Sequence, residues 1–510
     1  MRFFRSISTF FSAAAFLALA GCSVGPKYHP PVAQAPQLYK ESPTQFKEAE
    51  GWKMAQPGDA MLRGKWWEIF KDPELNALED QLNINNQNIK QYFESFMQAR
   101  ALVRQARTQY FPTVSTAPSY SRSLSSSNLG SSHTVTGGIT GIAGNAGQHS
   151  AFASLPLDVS WEPDLWGKIR NTVHEYQYAA QFSAADLENE RLTEQASLAE
   201  YFFEIRGQDA LQQIWKDTVA ADKRSLELTQ ALYETGIDNQ ISVVEAQTAL
   251  QSAQASATNS ALARAQYEHA IAELLGKMAS EFSIPVKPMT TAPPPIPVGM
   301  PSQLLERRPD IAAAERNMAS ANALIGVAYA AYYPTVILSP TGGVESSTLQ
   351  SLLEWPSRFW SLGGSLSETL FDAGLRRATV NQYIATYNAD LASYRQTVLT
   401  AFQQVEDYLA GVRILSQQVQ QQAQAVQSSQ TYLKLEMGRY ETGIDPYLNV
   451  VIAQNTLLTN QLSLATAQVS EMTAAVQLIT ALGGGWDRSQ LPTPMQVTQK
   501  PTKAETTIER

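Results

Sequence analysis

The strongest constraint on the fold is an internal duplication that includes two exceptionally long helix-compatible stretches. The motif YETGID occupies residues 233–238 and again residues 440–445, an offset of 207 positions. The same offset relates the Leu-Gly pair at 275–276 to the one at 482–483. Agreement at a constant offset over this distance indicates a repeat. The chain is therefore expected to fold as two similar halves.

Each half contains a long run without proline that ends at the repeated motif. Residues 168–235 contain one glycine and no proline, and residues 375–442 contain two glycines and no proline. Since proline is the strongest helix breaker, each run predicts a continuous helix of roughly 65 residues, about 100 Å long at 1.5 Å per residue. Such helices are far longer than those of ordinary globular proteins.

The residues after each run predict a tight turn into a returning helix. Gly236 and Gly443 suit the left-handed position that follows a helix C-terminus. Asp238 and Asp445 suit the N-cap of the next helix, and Pro446 suits its first position. The sequence therefore predicts one long helical hairpin in each half.

Four segments, two in each half, predict β-strands at about 112–123, 151–162, 335–344 and 360–371. In the second segment, Leu155, Leu157 and Val159 alternate with polar residues, a period typical of a strand with one apolar face. Pro156 interrupts this pattern and predicts a bulge or a bend. A half-buried soluble sheet has the same alternation, so the pattern alone does not place the strands in a membrane.

The N-terminus indicates secretion and lipid attachment. Arg2 and Arg5 precede an apolar run at residues 10–20 that is too short to span a bilayer, as in a secretory signal peptide. The run is followed by Gly21 and Cys22, the only cysteine in the chain, and the segment resembles the lipobox of bacterial lipoproteins. We expect acylation of Cys22, which would hold the N-terminus at a membrane.

The strands carry aromatic residues where they are expected to meet helices: Tyr110, Phe111, Trp161, Trp166, Tyr332, Tyr333, Trp360 and Phe371. With the signal and the anchor, these residues favour a transmembrane barrel, whose interfaces are lined by aromatic girdles. Four strands are too few to close a barrel, and open edges are not tolerated in lipid. A dimer would pool eight strands and fill its interior, whereas a trimer would pool twelve and enclose a lumen.

Charge and motif content argue against other classes. The formal net charge is −9, and no basic stripe with interleaved aromatics occurs, so no nucleic-acid partner is expected. The five histidines are scattered, and the sequence lacks HExxH, GxSxG and P-loop motifs. No catalytic residue, metal site or cofactor is therefore predicted.

Four motifs in a fixed order resemble a known family: KWWEIFKDPEL at 65–75, DLWGKIR at 164–170, MPSQLLERRPDI at 300–311 and FDAG at 371–374. The chain resembles the outer-membrane factor family of TolC-like channels, in its acylated NodT-type branch. This resemblance implies a mainly α fold with a membrane β-barrel, in which a homotrimer shares a twelve-stranded barrel and a long α-helical barrel, four strands coming from each chain. It also implies a passive exit duct for drugs or other small toxic compounds. The implied partners are a periplasmic adaptor protein, an inner-membrane RND pump and outer-membrane lipid.

The resemblance also suggests where the periplasmic aperture lies. In that family, tyrosine, arginine and aspartate contacts on the second hairpin close the tip. Tyr440 matches the tyrosine, but Asp445 occupies the arginine position, and Asn449 and Ile452 occupy the two aspartate positions. We therefore expect that the usual polar latch is not reproduced. The aperture candidates are Tyr440, Asp445, Asn449 and Asp238. Three copies of Asp445 near a threefold axis would form an acidic ring that favours cations, and the alternative role for Asp445 is that of an N-cap.

The expected organisation is a signal peptide (1–21), a lipid-anchored N-terminal and equatorial segment (22–71), a first repeat (72–276) with a hairpin at 167–276, a Pro-rich linker (277–300), a second repeat (301–483) with a hairpin at 374–483, and a polar tail (484–510). Two other functions fit the same features. One is an anchored coiled-coil protein without a pore, and the other is an outer-membrane duct for type I protein secretion.

Overall fold

A computed structural model of the 510-residue chain describes residues 24–31, 36, 39–41, 64–124, 126, 135–136, 139–140, 149–289, 292–296 and 301–501. The predicted signal peptide and Cys22 lie outside these residues. The chain divides into two compact units. The sheet unit comprises residues up to 29, 100–178 and 319–388, and the helical unit comprises residues 30–99, 179–318 and 389 onward.

The helices of the described chain are α1 (Pro73–Asn85), α2 (Gln87–Arg107), α3 (Lys168–Glu234), α4 (Gln240–Leu274), α5 (Pro301–Arg307), α6 (Pro309–Ala330), α7 (Leu375–Glu441), α8 (Tyr447–Ala481) and α9 (Pro494–Thr498). The strands are β1 (Thr113–Ser115), β2 (Ser119–Leu124), β3 (Val135–Thr136), β4 (Ile139–Thr140), β5 (His149–Ser160), β6 (Thr335–Ser346) and β7 (Arg358–Ser367). Helices α3 and α7 each contain 67 residues, as the two proline-free runs predicted. Among the described residues, no helix combines the length and the apolar character needed to cross a membrane.

The sheet unit is built around a five-stranded antiparallel sheet of described residues in the order β1-β5-β6-β7, with β2 also paired to β5. Strands β1 and β2 lie along one edge of β5, so the first predicted strand is interrupted at residues 116–118. Strand β7 pairs with β6 from Arg358 to Ser367. Among the described residues, the sheet therefore has two unpaired edges, β7 on one side and β1 with β2 on the other.

Pro156 does not cause the expected bulge. The β5–β6 register continues through it, with Leu155 opposite Val344 and Pro156 opposite Gly343. A Cβ atom at Gly343 would lie 2.4 Å from the Leu155 carbonyl oxygen. The glycine therefore provides the close backbone approach that lets a proline remain within a paired strand.

The two strand-to-helix junctions have the same capping arrangement. The Asp164 carboxylate accepts hydrogen bonds from the backbone N–H groups of Ile169 and Arg170, both at 3.0 Å, at the start of α3. The Asp372 carboxylate accepts from the N–H groups of Gly374 at 2.9 Å and Arg376 at 3.2 Å, at the start of α7. Each junction thus satisfies backbone donors that the first helical turn leaves free.

The helical unit has a continuous apolar core formed mainly by α3, α7 and α8. Its fully buried side chains include Leu198, Phe202, Ile205, Val405, Leu409, Val476 and Ile479. Helices α3 and α8 approach closely at Gly207, where a Cβ atom would lie 2.2 Å from a methyl carbon of Val469. The C-terminal segment predicted as a polar tail also joins a packed structure, because Trp486 and Val497 are buried.

A buried ionic cluster fixes part of the linker between the repeats. The Asp209 carboxylate on α3 accepts a hydrogen bond from Arg264 Nε at 2.6 Å and from the Lys287 N–H at 2.8 Å, and lies 3.4 Å from Arg206 Nη1. Arg206 also donates to Glu74 Oε2 at 2.5 Å. The Asp209 side chain has no solvent exposure. Burial of charges costs free energy unless they are paired, and this cluster meets that condition.

Candidate functional site

The turns of the two hairpins are joined by a side-chain hydrogen bond. Tyr440 Oη, at the end of α7, donates to Asp238 Oδ2 at 2.7 Å. The other oxygen of Asp238 accepts from the Asn239 N–H at 2.7 Å and from Ser242 Oγ at 2.9 Å. Two of the aperture candidates, Tyr440 and Asp238, are therefore brought together. This contact does not involve Asn449 or Ile452, which occupy the family's aspartate positions.

The N-cap predictions for both aspartates are wrong. Asn239 is the N-cap of α4, and its side chain accepts from the N–H groups of Ile241 and Ser242. Pro446 is at the N-cap of α8, not at its first position, and forms no side-chain cap. Each returning helix starts later than predicted, so the Asp238 carboxylate remains available for Tyr440. The glycine predictions are confirmed, since φ is 73° at Gly236 and 70° at Gly443.

A small apolar cluster surrounds the Tyr440–Asp238 bond. The Tyr440 ring lies 5.3 Å from the Tyr447 ring, and both side chains are buried with Ala246 and Val450. Ser225 on α3 accepts a hydrogen bond from Gln454 on α8 at 3.0 Å. The first hairpin (α3 and α4) is thus held to the second (α7 and α8) by both polar and apolar contacts.

The pKa values reflect this geometry. Burial alone would raise the pKa of Asp238, but the hydrogen bonds from Tyr440, the Asn239 N–H and Ser242 together lower it. Burial, followed by the hydrogen bond to Asp238, raises the pKa of Tyr440. Asp238 is therefore ionised and Tyr440 is protonated at neutral pH, which are the states that the bond requires.

Asp445 and Asn449 are not part of this contact. The Asp445 carboxylate is paired with Arg439 on the same hairpin, including a 3.2 Å hydrogen bond from Nη2, and this hydrogen bond lowers the Asp445 pKa. Asn449 lies on the first turn of α8, where its N–H donates to the Pro446 carbonyl at 3.1 Å. Because Arg439 neutralises Asp445 locally, an acidic ring of three Asp445 copies would carry three arginines as well.

Sequence reasoning missed the Tyr440–Asp238 pair because its partners come from different copies of the repeat. The equivalent of Tyr440 in the first copy is Tyr233, which is 46% exposed, whereas Tyr440 is 5% exposed. The equivalent of Arg439 is Leu232. The substitution of leucine by arginine next to two otherwise matching motifs was the available signal that the two turns differ in their contacts.

The segment that follows Cys22 is held at the strand-to-helix junction of the sheet unit. The Val24 N–H donates to the Trp166 carbonyl at 3.2 Å, and its own carbonyl accepts from Asn171 at 3.3 Å. Trp166 stacks on Tyr333 with ring centroids 4.8 Å apart.

Large apolar side chains project from the sheet into solvent: Val114, Tyr120, Phe152, Leu155, Leu157, Leu338, Trp360, Leu362 and Leu366. Trp360 was expected at a strand–helix junction, and the structure shows that this prediction is wrong. Strand β7 begins at Arg358, so Trp360 lies near the β6–β7 turn, at the end of the strand opposite α7. Phe371 does lie at the junction with α7 and is 86% exposed. Monomeric soluble proteins rarely expose a contiguous apolar surface of this kind.

No group of three or more His, Cys, Asp and Glu side chains within the described ranges is arranged to hold a metal ion. The candidate functional features are the hairpin contacts in the helical unit and, separately, the apolar surface of the sheet unit.

Comparisons with known proteins agree with this geometry. The family model described as outer membrane efflux protein matches residues 78–277 and 300–484. The probable efflux pump outer membrane protein TtgC of Pseudomonas putida is 30% identical over 473 residues, which are 92% of this chain and 93% of the relative. The toluene efflux pump outer membrane protein TtgI of Pseudomonas putida is 31% identical over 491 residues, which are 96% of this chain and 99% of that protein.

The structure of the outer-membrane channel OprN superposes with a TM-score of 0.81 and 28% identity, and the match covers 91% of this chain and all of OprN. The predicted fold class and the predicted location in the outer membrane are confirmed by these matches. The chain therefore belongs to the outer membrane efflux protein family.

Proposed function

We propose that this protein is the outer-membrane channel subunit of a tripartite efflux system, and that it forms a passive exit duct for drugs or other small toxic compounds. The observation that carries this proposal is a sheet with an exposed apolar surface and two open edges, in a chain that also forms two long helical hairpins. Relatives are named as toluene and solvent efflux pump components, which supports small organic cargo.

The open edges support assembly as a homotrimer. Unpaired strand edges are not tolerated in lipid, because each unsatisfied backbone group costs several kcal/mol there. Pairing β7 of one copy with the β1 and β2 edge of the next satisfies both edges. Three copies then supply twelve strands, if β1 and β2 count as one strand, and the resulting barrel is wide enough for a lumen.

The N-terminus supports a lipid anchor at Cys22. The contacts of Val24 with Trp166 and Asn171 hold the segment beside an aromatic pair. Tryptophan and tyrosine favour the membrane interface, so acyl chains on Cys22 would enter the bilayer at this level.

The hairpin turns are proposed as the periplasmic aperture, with Tyr440 and Asp238 as its intrachain latch. Opening would require the second hairpin to leave the first, which breaks the hydrogen bond and the Tyr440–Tyr447 cluster. A periplasmic adaptor and an inner-membrane RND pump are the proposed partners that drive this movement and supply the energy. The repeats at 72–276 and 301–483 are the proposed domain division, and the first carries Asp238 while the second carries Tyr440.

Purified, acylated protein reconstituted into planar bilayers tests the channel function. A heat-modifiable trimer that carries discrete single-channel currents is expected. A monomer that passes no current would support the anchored coiled-coil alternative. Complementation of an efflux-deficient strain then separates the cargo classes, since restored resistance to toluene supports small-molecule efflux, and restored release of a type I substrate protein supports the secretion alternative.

A further inference from the structure

A groove of about 810 Å³ in the helical unit takes no part in the latch. It is lined by α3, α4 and α8, and it extends along α4 from Gln240 to Ser256, roughly 24 Å at 1.5 Å per residue. Small-molecule sites typically have volumes of about 300–1,000 Å³. The groove therefore has the size of a site for an elongated organic molecule.

The charges in this groove are all negative. Asp222 on α3 and Glu245 on α4 line it, and no lysine or arginine occurs among its described lining residues. Burial raises the pKa of the Tyr447 hydroxyl, a hydrogen bond with Ser225 lowers it, and the charges of Asp222 and Glu245 raise it. Both carboxylates therefore lie close enough to influence the Tyr447 hydroxyl, which is buried next to the lining residue Leu448 in the sequence. Their field attracts a positive charge and repels an anion.

Asp222 is unusual among the lining residues because its charged side chain is only 6% exposed. It accepts no hydrogen bond from any residue in the described part of the chain. Burial raises its pKa, which is the expected effect on a carboxylate without a partner. A cation in the groove would provide the missing interaction.

The rest of the groove is apolar and includes an indole. Trp215 lines it on α3, and the exposed side chains of Ile241, Val244 and Leu448 form the aliphatic wall. An indole face attracts organic cations through its quadrupole, most strongly where water is partly excluded. Hydrated inorganic ions gain little from such walls, whereas a cation with an aromatic or alkyl body buries that body against them.

We propose that this groove binds an amphiphilic organic cation, with Asp222 and Glu245 holding its positive centre and Trp215 contacting its apolar body. The site is formed by the helical unit alone. It therefore stands even if the protein conducts no ions, and a conducting channel that failed to bind the cation would refute only the site.

Isothermal titration of the purified full-length protein in a nonionic detergent tests the proposal, with protein-free micelles as the blank. The probe is tetraphenylphosphonium, and tetraphenylborate is its control because it has the same shape and the opposite charge. Asp222→Asn and Glu245→Gln each remove one charge without changing side-chain size. Asp217→Asn is the matched control, since Asp217 lies on the same helix, is exposed, and does not line the groove.

Saturable binding of the cation is expected, with affinity reduced about tenfold or more in Asp222→Asn and Glu245→Gln and unchanged in Asp217→Asn. A trimer of normal mobility in each variant shows that folding is intact. Equal affinity in wild type and in Asp222→Asn would overturn the proposal, as would equal binding of the borate. Absence of cation binding to the wild type would also overturn it, and would indicate that a neighbouring copy or a partner helix fills the groove.

Discussion

Replacing Tyr440 with phenylalanine removes the hydroxyl that joins the two hairpins and leaves the ring in place. The ring keeps its packing against Tyr447, because that contact involves carbon atoms. The Asp238 carboxylate keeps its hydrogen bonds from the Asn239 N–H and Ser242. The substitution therefore isolates one 2.7 Å hydrogen bond between the first and second copies of the repeat.

The size of the effect follows from the setting of this bond. Removing a hydrogen bond to a charged group costs about 1.5–3 kcal/mol of stability. Asp238 is only partly buried, so water replaces some of the lost interaction, and the lower end of that range, about 1.5 kcal/mol, applies. This corresponds to a roughly tenfold shift in the equilibrium between closed and open turns.

Single-channel recording in planar bilayers measures this shift as the fraction of time in the high-conductance state. Tyr440→Phe is expected to raise that fraction about tenfold, and Asp238→Asn is expected to raise it as well. Tyr432→Phe is the matched control, because Tyr432 is an exposed tyrosine on the same helix α7. Equal open fractions in Tyr440→Phe and Tyr432→Phe would refute the latch.

Acidification provides a second measurement of the same bond. The folded-state pKa of Asp238 is lowered, so the stabilisation by its ionised form is present above the ordinary aspartate pKa of 3.8 and is lost as pH falls through the lowered value. Wild-type channels are therefore expected to remain closed at pH 5 and to open only below about pH 3.8. Opening that begins at pH 6 would show that another group controls the turns.

Three further predictions concern the stability of the helical unit, measured as the thermal midpoint of the purified protein. Asp209→Ala leaves Arg206 and Arg264 without their buried partner and is expected to reduce the free energy of unfolding by about 3–5 kcal/mol. Asp217→Ala, on the same helix but exposed, is expected to have little effect. Equal midpoints in the two variants would contradict the role of the cluster. Glu79 is fully buried and neither carboxylate oxygen has a hydrogen-bond partner among the described residues, so burial, followed by the charge of Asp80, raises its pKa well above the usual value. Ionisation of Glu79 therefore opposes folding as pH rises. Glu79→Gln is expected to raise the midpoint at pH 7, and the difference between the midpoints of the variant and the wild type is expected to vanish as pH falls below about 4.5. A difference that does not depend on pH would show that ionisation of Glu79 is not its cause. Gly207→Val places carbon atoms against Val469, since even a Cβ would lie 2.2 Å from its methyl carbon, and it is expected to lower the midpoint by several degrees, while Gly438→Val, where a Cβ meets nothing within 4 Å, should lower it far less.

The long helices were predictable because their limits are set by local chemistry. Proline and glycine are excluded from residues 168–235 except at Gly207, and the glycine that ends each helix adopts the left-handed conformation that its sequence position implied. The four strand segments were also visible as apolar alternation, although their limits were displaced. The error at Trp360 does not come from these limits, since a strand at 360–371 would also begin at this residue and leave it far from the helix that starts at Leu375.

The remaining features depend on contacts between distant parts of the chain. Asp209 was not recognised as a structural centre because its partners Arg264 and Lys287 are 55 and 78 residues away. Glu79 and Asp222 look like ordinary charged residues of amphipathic helices, and only packing shows that they are buried. Neither the partner of Tyr440 nor the groove around Asp222 leaves a periodic pattern in the sequence.

The two copies of the YETGID motif differ in a way that would let the aperture proposed at these turns move on one side. The first copy supplies an acceptor, Asp238, in a turn that its own asparagine cap already stabilises. The second copy supplies the donor, Tyr440, in a turn that lacks a side-chain cap and holds its aspartate through Arg439 instead. Breaking the shared bond therefore leaves the first turn with its own cap and the second turn with an exposed ion pair, which contributes little stability. If the proposed latch opens, the second hairpin is the one expected to move, and the Leu232-to-Arg439 difference between the copies would then be the sequence change that distinguishes the two turns.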